Sequence, residues 1–176
     1  MTVGTAFLQS VIKRLGYYKG LGDKTFEQLT DAGFHYRPND TCNSIALIIQ
    51  HLAGNMLSRW TLFLDADGEK DWRDRDLEFE EQELSKEQLI EYWEKGWDCC
   101  LGALRSLQED DLLKTIYIRG EALLAIDAIN RQLAHYPYHV GQIIFLGKTI
   151  KNGDWQNLSI EKGNSKAYNQ QMHAKR

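Results

Sequence analysis

The sequence predicts an all-α protein, a four-helix bundle, and three observations carry that prediction. Four long segments repeat apolar residues at helical spacing, the chain holds only two prolines in 176 residues, and its one long unpatterned stretch separates the second segment from the third. A roughly 20-residue crossover there, with short links elsewhere, is a connectivity that such bundles use. No linker composition divides the chain, so a single domain over 1–176 is expected. At this length about 70% of the unfolded surface can be buried, enough for a core without disulfide or metal staples.

The first helix is expected from about Thr5 to Asp31, with Phe7, Val11, Leu15 and Tyr18 on one stripe, a bend around Gly20 to Gly22, and Gly33 and Pro38 closing it. The second opens where Thr41 or Asn43 can cap free amides and repeats Ile45, Ile49, Leu52, Met56 and Phe63 as far as about Leu64. Thirteen of the 25 acidic residues then fall between Asp65 and Glu94, a run that reads as solvated surface. The third helix, about Lys86 to Leu107, carries Leu89, Trp93, Trp97, Cys100 and Leu104, and Ser85 with Gln88 forms a capping box. Alternation at Thr115 to Ile118, followed by Arg119 and Gly120, predicts one strand of a short β-hairpin before the last helix. That helix is expected from Glu121 to Ile150, apolar almost all round and therefore central. From about residue 151 the chain is polar and reads as a loop or arm.

A formal charge of −4 excludes a whole-surface footprint for nucleic acid. Cys42, Cys99 and Cys100 are odd in number and lack CxxC spacing, so they read as reduced thiols. No stretch supplies the roughly 20 apolar residues of a membrane span, and Gln9, Lys13 and Arg14 interrupt any secretory core, which makes the cytoplasm the expected location.

His135 and His139 stand four apart on the last helix, a spacing that turns both imidazoles to one face, on a stripe with Leu124, Ala128 and Leu146. His51 occupies an apolar stretch of the second helix and offers a third ligand. Three neutral imidazoles around a divalent cation leave a position open, as catalytic sites do. The same three rings can also be hydrogen-bonded core residues, so spacing leaves both readings open. His35 and His173 have no partner at ligand spacing and are expected on the surface.

Longer strings narrow the choice. Asn43 to Ala46, His51 to Trp60, Asp67 to Lys70, Arg73 to Asp76, Asn130 to His135 and His139 to Ile143 resemble the DinB/YfiT-like superfamily, in an uncharacterised bacterial branch, over about Phe7 to Asn169. The resemblance implies an up-down-down-up bundle, commonly dimeric, with a divalent metal on His51, His135 and His139. Zinc, nickel and iron all suit imidazole ligands. Relatives of known activity include thiol-dependent S-transferases and a thiol-dependent maleylpyruvate isomerase, which implies a low-molecular-weight thiol as cosubstrate. Fold and ligands transfer better than reaction. Pro137, between two ligands, departs from the family's small residue; it removes a helical hydrogen bond at a cost of about 3 kcal/mol, and a kink that leaves the site intact is expected.

Asn55, one turn after His51, and Tyr138 and Gln142, beside the histidine pair, are candidates for substrate binding or for bonds within the structure. Arg59, Arg75 and Arg131 can hold an anion or pair with acids such as Asp74, Asp76 and Glu78. Trp60, Trp93 and Trp97 fall on core stripes, and tryptophan-rich faces together with the family habit favour a homodimer acting on a small molecule. The function expected is a divalent-metal-dependent transferase or hydrolase of the DinB-like class. The alternative is a noncatalytic stress or ligand-binding protein with a structural metal or none.

Overall fold

The computed structural model describes residues 1–174. Its helices are α1 (Val3–Phe26), α2 (Asp31–His35), α3 (Ile45–Trp60), α4 (Lys86–Ser106), α5 (Ala125–Lys151) and α6 (Ser165–His173), and one antiparallel hairpin, β1 (Thr115–Ile118) and β2 (Glu121–Leu124), precedes α5. The protein is thus mostly helical with one small two-stranded sheet. Helices α1 and α3 each pack against both α4 and α5, and the buried residues of all four form one apolar cluster. Trp93, Trp97 and Tyr136 are the largest side chains at its centre. Burying each such ring removes on the order of 150–250 Å² from water, so aromatic residues dominate the stabilisation. No helix is long and apolar enough to cross a membrane among the described residues.

The helix boundaries differ from the sequence expectation where tertiary contacts decide them. Helix α1 runs unbroken through Gly20 to Gly22 but ends at Phe26, and residues expected to continue it form α2. In a continuous helix Phe34 would lie about 12 Å along the axis from Phe26. The break instead brings the two rings to 5.2 Å and buries Phe34 completely. Helix α3 is capped by Ser44, whose hydroxyl accepts from Leu47 N–H, because Thr41 bonds to Asn39 instead. It stops at Trp60 rather than near Leu64, where Leu62 turns to φ 51. The capping box of Ser85 and Gln88 opens α4 as expected.

The hairpin is complete, and its second strand takes Glu121 to Leu124 away from the expected last helix. Arg119 at φ 57 and Gly120 at φ 74 make a two-residue turn of the kind whose twist matches paired strands. Ile116 and Ile118 point inward between exposed Thr115 and Tyr117. Helix α5 begins at Ala125 and passes through Pro137 without interruption. It is not buried all round: Ala128, Ile129, Gln132, Tyr136, Val140 and Ile143 form one inward stripe, while Phe145 is 71% exposed. The tail expected as a loop or arm contains α6, an exposed helix rich in good helix formers such as Lys166, Ala167, Gln170 and Gln171. His173 lies there, exposed, whereas His35 is half-buried and its Nε2–H donates to the Leu84 carbonyl at 2.9 Å.

Candidate metal centre

The inward face of α3 and the middle of α5, beside its buried stripe, bring three imidazoles together. His51, His135 and His139 each offer one ligand atom, and these atoms all lie within 4.8 Å of one another. His135 Nε2 stands 3.3 Å from His51 Nε2 and 3.1 Å from His139 Nε2. The proline between the helical pair has therefore not separated it.

The outer nitrogen of each ring is held by an oxygen. His51 Nδ1–H donates to Glu78 Oε2 at 2.9 Å, His139 Nδ1–H to Gln142 Oε1 at 2.7 Å, and His135 Nδ1–H to Gln132 Oε1 at 3.3 Å. Gln142 is itself oriented by its amide, which donates to the Tyr138 hydroxyl at 3.1 Å. With protons on all three Nδ1 atoms, the Nε2 lone pairs face one another. Burial and the charges of His139 and His51 push the His135 pKa down to about 3, and burial lowers that of His139, so these two rings resist protonation.

A shared cation relieves the facing lone pairs. Two nitrogens bound to one tetrahedral zinc at about 2.0–2.1 Å stand about 3.3–3.4 Å apart, close to the distances of His135 Nε2 from its two neighbours, and all three ligand atoms lie within 4.8 Å of one another. The donor set thus fits a metal ion on a test of chemistry and distance. Among the described residues no Cys, Asp or Glu joins the three histidines as a fourth ligand.

Glu78 is the residue that sequence reasoning placed wrongly. It belongs to the acidic run expected at the surface, yet it is 9% exposed, on a 3-10 turn over Leu77–Phe79 that packs against α3. Arg73 grips it from two atoms: Nε donates to Oε1 at 2.6 Å and Nη2 to Oε2 at 2.9 Å. Burial works to raise the Glu78 pKa, but the bonds from His51 and Arg73 outweigh it and the carboxyl stays ionised below its ordinary range. Its close approach requires Gly54, where an added Cβ would stand 2.2 Å from Glu78 Oε1. Nothing in a charge run marks one carboxylate as buried; Gln142 was among the candidates read from the sequence, and Gln132, three residues before His135, was findable by the same helical spacing.

The three rings line a cleft of about 460 Å³ with Asn55, Arg59, Tyr138 and Gln142, so all the substrate-binding candidates come together there. Two of them already have structural work. Asn55 Oδ1 accepts from the Tyr136 hydroxyl at 3.1 Å, and that hydroxyl accepts from Trp60 Nε1 at 2.9 Å, a buried chain the sequence did not reveal. Arg59 donates to the Gly68 carbonyl and pairs with Glu69 at 3.0 Å. Arg75 and Arg131 also line the cleft, and Arg75 lies 5.2 Å over the ring of Phe79, which packs on His51 at 4.8 Å. The clefts beside Lys24 and beside Pro38 are of similar size and contain no histidine.

The tryptophans expected in the core are there: Trp60, Trp93 and Trp97 are all buried, so they do not supply a free face for a partner. All three cysteines are free, and burial followed by the nearby Cys99 raises the Cys100 pKa well above its usual value, which suits packing rather than nucleophilic attack. No curated protein matches the chain. A family model described as "Protein of unknown function (DUF1572)" matches residues 2–164, nearly the whole of the chain, and the protein belongs to that family.

Proposed function

We propose that this protein is a divalent-metal-dependent enzyme of the DinB/YfiT-like class, its four long helices forming an up-down-down-up bundle and its ion held by His51, His135 and His139. The observation that carries the reading is the set of three Nε2 atoms turned toward one another while every Nδ1 is tied to an oxygen. Such outer partners fix the tautomer and ring direction that metal ligation needs. Zinc, nickel or iron suits the donors. Bound there, the ion would supply Lewis acidity and lower the pKa of a coordinated water or thiol.

The reaction class is transfer of a low-molecular-weight thiol to an electrophilic small molecule, or a related hydrolysis. This chain's own part is to orient the rings through Glu78, Gln132 and Gln142 and to line the cleft with Asn55, Arg59 and Tyr138. Elemental analysis of protein purified without an affinity tag tests the reading first. About one ion per chain is expected, with less than a tenth of that in His51→Ala; absence of stoichiometric metal, or unchanged content in the variant, overturns it. Thiol consumption with monobromobimane, lost on chelation, tests the reaction.

The same reading makes the protein a cytoplasmic homodimer. Three free thiols support the location, and Tyr138 and Phe145, 62% and 71% exposed on α5, supply apolar surface for a second copy. Sedimentation at twice the chain mass of 20.4 kDa is the expected result.

A further inference from the structure

The charge of the histidine cleft is opposite to that of the chain. Its lining contains Arg59, Arg73, Arg75, Arg119 and Arg131 and no Asp or Glu, in a protein whose formal net charge is −4. Two carboxylates behind the wall answer these five guanidiniums. Glu69 is shared by Arg59 at 3.0 Å, Arg119 at 3.0 Å and Arg73 at 3.6 Å, and Glu78 takes Arg73. Five cations against two anions leave an excess of three positive charges at the cleft.

That excess sits on identifiable groups. Among the described residues, Arg75 and Arg131 make no ion pair and no side-chain hydrogen bond, and both are exposed. Arg75 is nonetheless positioned, its guanidinium lying over Phe79, which in turn packs on His51. Arg131 stands one helical turn before His135, on the same side of α5. Beneath them Arg73, with a side chain only 2% exposed, is taken up by Glu78 and Glu69 and holds the wall rather than a ligand. Salt-bridge scaffolding alone does not account for two unpaired arginines on one wall.

We propose that the cleft binds a small molecule bearing a carboxylate or phosphate group, which Arg75 and Arg131 hold beside the three imidazoles. Planar guanidiniums match both oxyanions through paired N–H donors. The ligand's charge answers the excess that Glu69 and Glu78 leave. This deepens the reading of the cleft as a metal-dependent site by naming the class of its substrate.

Calorimetric titration of the chelator-stripped protein with inorganic phosphate and, separately, with succinate tests the anion site without the metal. Binding of at least one probe is expected, weakened tenfold or more in the Arg75→Gln/Arg131→Gln double variant and unchanged in Lys24→Gln, which alters another cleft. The probe that binds more tightly identifies the oxyanion. Absence of binding by both probes, or equal binding by the double variant with its helical signal intact, overturns the proposal. Metal content in the double variant is expected to match the unaltered protein, so a missing ion and a missing anion site are read from separate measurements.

Discussion

At His51 the two ring nitrogens meet different chemistry, a carboxylate on one side and two other imidazoles on the other. Glu78→Gln keeps an acceptor for Nδ1–H but removes the charge that polarises the ring and partners Arg73. Metal affinity is expected to fall about 10–100-fold, measured by competition with a chromogenic chelator; equal affinity would mean the carboxylate serves the fold alone. Tyr136, fully buried, donates to Asn55 and accepts from Trp60. Tyr136→Phe leaves both without that partner and is expected to cost about 1–3 kcal/mol in urea unfolding. Residues four apart share a helix face, so the histidine pair was legible as neighbours, but only the longer strings resembling a known family singled it out with His51 as a ligand set. Glu78 and Tyr136 were not legible, since a carboxylate among thirteen acids and a tyrosine among core residues carry no signal until neighbouring elements are placed.

Among the elements, the hairpin shows how a local pattern can be half readable. Thr115 to Ile118 alternates and predicts a strand, but Leu123 and Leu124 continue the apolar content of α5 and hide the second. What fixes the turn lies elsewhere in the chain: Asp67 accepts from the backbone N–H of Arg119 at 2.8 Å and of Gly120 at 2.7 Å. Bonds from the Glu69 and Gly120 amides, with a smaller one from Arg119, lower the Asp67 pKa in the fold against the opposing effect of burial. A depressed folded pKa means that this support is present at neutral pH and is lost as pH falls through the folded value, below 3.8. Asp67→Asn removes the charge at every pH and turns a donor toward the Gly120 amide, leaving one oxygen to accept from Glu69 and Arg119. Faster hydrogen exchange at Arg119 and Gly120 near pH 7 is the expected outcome, and unchanged exchange would show that the strands hold the turn themselves. In α5, Pro137→Ala restores a backbone donor for the Leu133 carbonyl. The variant is expected to be more stable by about 1–3 kcal/mol with its metal content retained, by urea unfolding and elemental analysis.

For the whole molecule, the proposed ion ties α3 to α5 across the core, so its binding is also folding energy. An ion present at about 1,000 times its Kd adds about 4 kcal/mol, and in a chain of this size each kcal/mol moves Tm by about 2–4 °C. Chelation is therefore expected to lower Tm by on the order of 10 °C in calorimetry, while a Tm indifferent to chelator counts against a site shared by the two helices. Periodicity made the helical class legible over 176 residues because a core of this size needs apolar stripes. The path of the crossover was not legible, because its positions are set by Gly68, Asp67 and Glu78 meeting α3 and the hairpin rather than by any repeat of its own. The imidazoles stand on helices whose placement the apolar interior dictates, whereas Arg73, Arg75, Glu78 and Phe79 arrive on a connecting segment fastened at a few points. Substitutions along that segment can therefore reshape one wall of the cleft while the helices that carry the imidazoles keep their packing, provided its moorings to the hairpin and to α3 are kept.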